Sequence, residues 1–182
     1  MSISKIALLA ALPAVLLSAC ATDRAETSIS KGPNLGQPAT AAEIALVDIG
    51  IPPSGAGLPA GSGDARAGAK VYAAKCQSCH GDKGAGKPAD ALVGGQGTLT
   101  ASNAVRTVGS YWPYATTLFD YTRRAMPLTA PRTLSNDEVY AVTAYVLHLN
   151  GIIGEDQTLD AKTLPAVKMP NRDGFVDYSK VR

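Results

Sequence analysis

The chain has 182 residues, a length that allows one domain with flanking segments rather than two domains. Aromatic residues make up only 5% of it, whereas glycine and proline contribute 18 and 12 residues, so the polypeptide alone supports a modest apolar core. A formal net charge of +2, without any block rich in lysine or arginine, argues against nucleic acid as a partner.

The N-terminal residues have the pattern of an export signal. Lys5 supplies a positive charge, and residues 6–17 form an apolar stretch too short to span a bilayer comfortably. The sequence Leu-Ser-Ala-Cys that ends at Cys20 resembles the lipobox of bacterial lipoproteins, which predicts a signal peptide over residues 1–19 and a lipid on Cys20. Ordinary cleavage after Ala21 is the alternative. Both interpretations predict a periplasmic protein, and the first adds a lipid anchor in a membrane.

The segment before the domain is predicted to be irregular. Residues 20–63 are rich in small residues and proline, and only Ala41 to Val47 has helical character, so this part is predicted to be a tether or strap. Asp64 is a candidate N-cap for a helix over residues 65–75. The predicted inner face of that helix carries Ala67, Val71 and Ala74.

Two further helices are predicted downstream. One runs from Pro113 to Ala125, and Met126-Pro127 closes it. Ser135 and Glu138 form a capping box that opens the last helix, and Gly151 lies just past its end. The apolar stripe of that helix consists of Val139, Val142, Val146 and Leu149. No pattern favours a sheet, and residues 152–182 are predicted to form an extended, peripheral tail.

The stretch Cys76-Gln77-Ser78-Cys79-His80 carries the chemistry, because it is the attachment signature of haem c. Two thiols at this spacing reach the two vinyl groups on one edge of a porphyrin, and the following imidazole can bind the iron from below. The alternatives are a zinc pair, which needs further ligands although His148 is the only spare histidine, and a redox pair, which needs a βαβ context. We therefore predict one covalent haem c on Cys76 and Cys79, with His80 on the iron.

Met126 is the predicted sixth iron ligand. It ends one helix and precedes the last one, an order that looks like the class I cytochrome c fold. The alternatives are Met169, His148 and an open site. A methionine ligand raises the reduction potential, which suits an electron carrier.

Other side chains are predicted to form the surroundings of the haem. A polar-aromatic cluster is a candidate partner of the haem propionates, although core and rim packing explains it equally well; it consists of Arg106, Tyr111, Trp112 and Tyr114. The Nδ1–H of His80 is expected to donate to a backbone carbonyl. In related cytochromes a proline often supplies this carbonyl, and the nearby Pro88 implies one between Pro88 and Ala91.

Stretches outside the haem motif resemble one family. The most specific are Ser110-Tyr111-Trp112-Pro113 and Arg124-Ala125-Met126-Pro127, and similar stretches occur at residues 94–99 and 134–140. They resemble the cytochrome subunit of the Sox-type sulfite (sulfane) dehydrogenase of sulfur-oxidising bacteria. The resemblance begins near residue 36 and extends to the tail. The single Cys-x-x-Cys-His motif matches the single-haem form of the family, whereas the lipobox departs from it.

The resemblance implies an all-α, class I cytochrome c fold, with three to five helices around one covalent haem in residues 64–151. It also implies that the chain is not an enzyme by itself. A molybdenum-cofactor subunit would oxidise a sulfur substrate, and this chain would pass the electrons to another cytochrome or an oxidase. Cys76, Cys79 and His80 match the family's haem-binding positions, and Met126 matches its Met-Pro position.

Two other functions remain as alternatives. One is a stand-alone electron carrier tethered to a membrane, and the other is a haem enzyme or sensor with an open sixth site. Within the leading interpretation, the irregular strap and tail are expected to wrap onto the partner subunit.

Overall fold

The computed structural model describes residues 36–176 and 178–180, so the predicted signal peptide and Cys20 lie outside the described residues. Residues 36–40 belong to a separate N-terminal unit and contain no helix or strand. The unit that starts at Ala41 contains the helices Ala41–Val47 (α1), Ala65–Lys75 (α2), Gln77–His80 (α3), Ala115–Ala125 (α4) and Asn136–Leu149 (α5). The strands Ser62–Gly63 (β1) and Leu159–Asp160 (β2) form an antiparallel pair. Short 3₁₀ turns cover Asp82–Gly84, Leu164–Ala166 and Tyr178–Lys180. Across these described ranges, every helix is too short or too polar to cross a bilayer.

The helix ends follow the capping residues in the sequence. The Asp64 carboxylate accepts the backbone N–H of Ala67 at 2.8 Å, as an N-cap does at the start of α2. Ser135 and Glu138 form the predicted capping box, with hydrogen bonds of 3.2 and 2.7 Å. Gly151 adopts the predicted left-handed conformation after α5, with a φ of 67°.

Helix α4 begins later than predicted. Its first residue is Ala115 rather than Pro113, because Tyr114 before it has extended dihedral angles. The shift leaves the aromatic stretch before α4 outside the helix.

The packing of α2 on α5 depends on a glycine. A Cβ atom on Gly68 would collide with the backbone carbonyl of Ala141 on α5, so only glycine allows the two helices to approach this closely. The buried side of α2 therefore carries Ala65, Gly68 and Tyr72. The predicted inner face was wrong, because Ala67 and Ala74 are exposed and Val71 is only half-buried.

The strap from Ile49 to Gly63 packs on the helices of its own chain. The backbone N–H of Ile51 donates to the Asp120 carboxylate of α4 at 2.9 Å. The Tyr140 hydroxyl of α5 donates to Pro59 O at 2.9 Å, and the Thr116 hydroxyl donates to Pro53 O at 3.2 Å. These contacts hold the strap on its own helices, and the expectation that it wraps onto a partner subunit stays a prediction.

The tail also packs against the core, from Ile153 to Met169. Ser62 pairs with Asp160 and Gly63 with Leu159 in the short β-ladder. The buried side chains of the tail are Ile153, Leu159, Leu164, Val167 and Met169. The prediction of a peripheral tail without any strand was wrong, because isolated apolar residues anchor it without producing a helical or strand period.

Candidate haem site

The Cys76–His80 stretch forms a single helical turn after α2. The carbonyl of Cys76 accepts the backbone N–H of Cys79 at 3.1 Å and that of His80 at 2.9 Å. Residues at positions i, i+3 and i+4 of a helix share one face, so both thiols and the imidazole lie on the same side of this turn. Cys79 is exposed, whereas Cys76 and His80 are half-buried.

The ring of His80 is held by a hydrogen bond at Nδ1. This nitrogen lies 2.8 Å from the backbone carbonyl oxygen of Asp90. Since a carbonyl only accepts, Nδ1 carries a proton, and in the neutral ring Nε2 then has the free lone pair. The expected carbonyl between Pro88 and Ala91 is thereby confirmed, and the free nitrogen is the one that a metal can use.

The loop after His80 folds back onto the motif. The backbone N–H of Gly86 donates to His80 O at 2.7 Å, and that of Ala89 donates to Cys79 O at 2.8 Å. Gly81 makes this return possible, because its φ is 74° and a Cβ atom on it would lie 2.5 Å from Gly86 O. Because of these bonds the loop returns to the motif, and the Asp90 carbonyl lies next to the His80 imidazole.

The two cysteines lack the features of the competing sites. Burial of Cys76, and secondarily the neighbouring Cys79, raises the pKa of the Cys76 thiol to about 11. A redox-active Cys-x-x-Cys pair needs a lowered thiol pKa. Within residues 36–176 and 178–180, no three His, Cys, Asp or Glu side chains come together as a zinc site would require. The donor set therefore fits a haem better than either alternative.

Apolar side chains that a macrocycle can cover lie between the motif and α5. Leu92 and Trp112 are half-buried against the core, and the large apolar side chains of Val105, Tyr121 and Leu128 are exposed. Exposed apolar side chains of this kind fit a chain that carries an apolar ligand.

Met126 lies at the end of α4. It is the C-cap residue, with extended dihedral angles, and its N–H donates to Thr122 O at 3.0 Å. Its side chain is half-buried. Met126 therefore lies where α4 ends and the loop that leads to α5 begins.

The rival ligands have other surroundings. Met169 is only 3% exposed and belongs to the hydrophobic core cluster, contrary to its expected peripheral position. His148 lies in the last turn of α5, where its Nδ1 is 3.4 Å from Ile153 O. Burial in the core gives Met169 a packing role.

The predicted polar-aromatic cluster divides into three contacts. Arg106 lies over the ring of Tyr111, 5.6 Å from its centroid. Trp112 instead makes an edge contact with Tyr121, at 5.9 Å between centroids. The ring of Tyr114 is covered by the guanidinium of Arg172 in the tail.

The tail residues that reach this aromatic stretch were not predicted. The Asn171 amide donates to Tyr111 O at 2.7 Å, and the Phe175 ring makes an edge contact with Tyr111 at 5.2 Å. The guanidinium of Arg172 lies 4.3 Å from the centroid of Tyr114. No sequence signal could have identified these contacts, because the two segments are about 60 residues apart and neither has a periodic pattern.

Comparisons with known proteins identify the family. The family model described as cytochrome c oxidase, cbb3-type, subunit III matches residues 63–146, which include the Cys-x-x-Cys-His motif and Met126. The crystal structure of the sulfane dehydrogenase SoxCD from Paracoccus pantotrophus is similar, with 41% identity and a TM-score of 0.74 over 82% of this chain and 75% of that chain. The chain belongs to the family of Sox-type cytochrome c subunits. No curated protein sequence matches it.

Several predictions about the family's chemistry are confirmed by this membership. The protein has a class I cytochrome c fold and carries covalently bound haem c. It is a cytochrome of sulfur oxidation that transfers electrons as a subunit of an oxidoreductase.

Proposed function

We propose that this Sox-type cytochrome accepts electrons from a molybdenum-cofactor subunit that oxidises a sulfite or sulfane substrate, and passes them to another cytochrome or an oxidase. The observation that carries the proposal is the hydrogen bond from His80 Nδ1 to Asp90 O, which leaves Nε2 as a metal donor on the same face as two thiols. The 41% identity to a sulfane dehydrogenase supports the sulfur substrate.

Each residue of the site has one role in this proposal. Cys76 and Cys79 hold the cofactor through thioether bonds, and His80 binds the iron through Nε2. When bound, haem c supplies an iron that takes up and releases one electron at a time. Met126 is the sixth ligand, supported by its place at the end of α4 and by the burial of Met169 in the core. The surroundings of the haem include four further side chains, among which Arg106 and Tyr111 would lie near the haem propionates and Trp112 and Tyr114 near the edge of the haem.

The attachment is tested by mass. After expression in a host competent in cytochrome maturation, the denatured chain should weigh one porphyrin more than its sequence. Cys79→Ala should leave the haem attached only through Cys76 or lose it during maturation, because the thiol and the adjacent ligand geometry are disturbed together. Gln77→Ala is the matched control, since this neighbour inside the motif is exposed and has no proposed role. A colourless wild-type chain without added mass would refute the proposal.

The partner and the location are tested on the native protein. Metal analysis of the complex purified from its own cells should find molybdenum together with iron in a fixed ratio. The chain should be recovered from the periplasm, with residues 1–19 removed. If Cys20 is lipidated, the new N-terminus should also carry the mass of acyl chains. Recovery of the cytochrome without molybdenum would instead favour a stand-alone carrier.

A further inference from the structure

The loop that supports His80 is anchored at both ends by side chains outside the haem motif. Its first part follows His80 directly, and its last part follows Asp90, whose carbonyl accepts the imidazole proton. The loop contains four glycines and two lysines with positive φ, Lys83 and Lys87, so its own backbone preferences do not fix one conformation. Its backbone bonds to His80 O and Cys79 O hold the middle of the loop on the motif, and side chains on α2 and just after α5 hold its two ends.

Tyr72 holds the start of the loop. This α2 side chain is 1% exposed, and its hydroxyl donates to Gly81 O at 2.8 Å. Its ring packs against Tyr145 of α5, with 5.3 Å between centroids. Burial raises the pKa of Tyr72 to about 12, which keeps the hydroxyl protonated as a donor at physiological pH.

Asn150 holds the end of the loop. Its Nδ2 donates to Leu92 O at 3.1 Å, and its Oδ1 accepts the backbone N–H of Gly94 at 3.1 Å. Nδ2 also donates to Val146 O at 2.9 Å, so the amide is fixed to the last turn of α5. The two bonded loop residues lie two and four positions after Asp90.

We propose that Tyr72 and Asn150 are positioning residues that hold the 81–94 loop against α2 and α5, and so fix the Asp90 carbonyl on the His80 imidazole. This inference rests on the proposed function, because it concerns the ring that binds the iron. It extends that function by assigning the orientation of the ligand to two side chains outside the haem motif, on α2 and just after α5.

The direction of the effect follows from ligand chemistry. A proton donated from Nδ1 to a carbonyl makes the imidazole a more basic ligand, and a more basic ligand favours ferric over ferrous iron. When either anchor is removed, the Nδ1–H···O bond should loosen, and the midpoint potential should shift upward. The backbone N–H groups of Gly86, Ala89 and Leu92, which are bonded to His80 O, Cys79 O and Gly84 O, should exchange about tenfold or more faster, as expected for the loss of one buried hydrogen bond.

The test uses Tyr72→Phe and Asn150→Ala in the full-length holoprotein. Both replacements are uncharged, so any potential shift is not caused by a new charge. Tyr140→Phe is the matched control for the first, since it removes a buried hydroxyl that donates to a backbone carbonyl of the strap, Pro59 O at 2.9 Å, and not to the loop. Leu159→Ala is the stability control, because it opens the core at β2, away from the motif. The readouts are the midpoint potential, the paramagnetically shifted proton signals of the His80 ring, and amide exchange.

The proposal predicts an upward shift and altered His80 signals in both anchor variants, with neither change in the two controls. Unchanged potential and His80 signals in Tyr72→Phe, together with lowered stability, would show that the anchors only stabilise the fold, and would overturn it. If Asn150→Ala does not fold, the Tyr72→Phe variant alone decides. A wild-type chain without covalent haem would instead refute the proposed function, a separate outcome that mass measurement detects first.

Discussion

Replacement of Asp120 by alanine tests whether one carboxylate holds the strap on the helices. Asp120 is 8% exposed and lies on α4. Its Oδ1 accepts the N–H of Ile51 at 2.9 Å and Nε of Arg124 at 3.0 Å, while Oδ2 pairs with Nη2 of Arg124 at 2.5 Å. Ile51 is itself buried in the core cluster, so its N–H has no route to water in the folded chain.

The magnitude follows from those contacts. A buried N–H that loses its acceptor costs about 1–3 kcal/mol. The ion pair with Arg124, whose side chain is 45% exposed, adds only about 0.3–0.5 kcal/mol for an i, i+4 pair on a helix. Asp120→Ala should therefore lower the free energy of unfolding by about 1–3.5 kcal/mol, mainly through the backbone of Ile51.

Urea unfolding followed by circular dichroism measures this change. The midpoint should fall while the slope stays constant, because the folded core is otherwise retained. Arg124→Ala is the control, since it removes the ion pair and leaves the Ile51 bond, so it should cost about 1 kcal/mol or less. Limited proteolysis should cut the strap near residues 49–55 sooner in Asp120→Ala than in the control. Equal midpoints for Asp120→Ala and the wild type would refute the argument.

Three other results are expected. Burial would raise the pKa of Asp120, but the hydrogen bonds from Arg124 and Ile51 outweigh this effect and hold that pKa below its ordinary value. The stabilising effect of the carboxylate should therefore be full above about pH 4 and disappear as the pH falls through the folded-state pKa. Asp120→Ala should remove this part of the acid dependence, which unfolding measured at a series of pH values detects. Met126→Ala should keep the covalent haem, lower the midpoint potential and allow carbon monoxide to bind the ferrous protein, whereas an unchanged spectrum would reject Met126 as the ligand. Gly68→Ala should destabilise the fold by about 1–3 kcal/mol in thermal unfolding because of the collision with Ala141, whereas Gly154→Ala, with open space around it, should be nearly neutral.

The features that the sequence predicts well are those encoded by neighbouring residues. The N-cap at Asp64, the capping box at Ser135 and the glycine after α5 each act within a few positions of their helix, and all three lie where expected. The carbonyl partner of His80 was located to within four residues because a proline often supplies it in related cytochromes and Pro88 lies close to the motif in the chain. Local chemistry fixes these features before any tertiary packing occurs.

The features that were missed depend on residues far apart in the chain. The inner face of α2 was misassigned because apolar side chains were counted, whereas the close approach at Gly68 requires the absence of a side chain. Ile51 and Asp120 are 69 positions apart, and neither has a sequence pattern that points to the other. Met169 lies in a segment without periodicity, so nothing before the structure distinguished a buried residue from a peripheral one.

The strap and tail also change where a partner subunit can bind. Paired backbone groups and buried side chains hold residues 49–63 and 152–169 on the cytochrome's own core, so these parts have fewer groups to offer a partner. Two short segments at their outer ends differ: none of the seven residues of α1 is buried, and the large apolar side chains of Phe175 and Val176 are exposed. A seven-residue helix without buried contacts gains little stability from its own hydrogen bonds. We therefore expect these outer ends to be the parts of the two segments that contact a partner subunit. If they do, their amide exchange should slow on complex formation, while the amide exchange of the strap should not change.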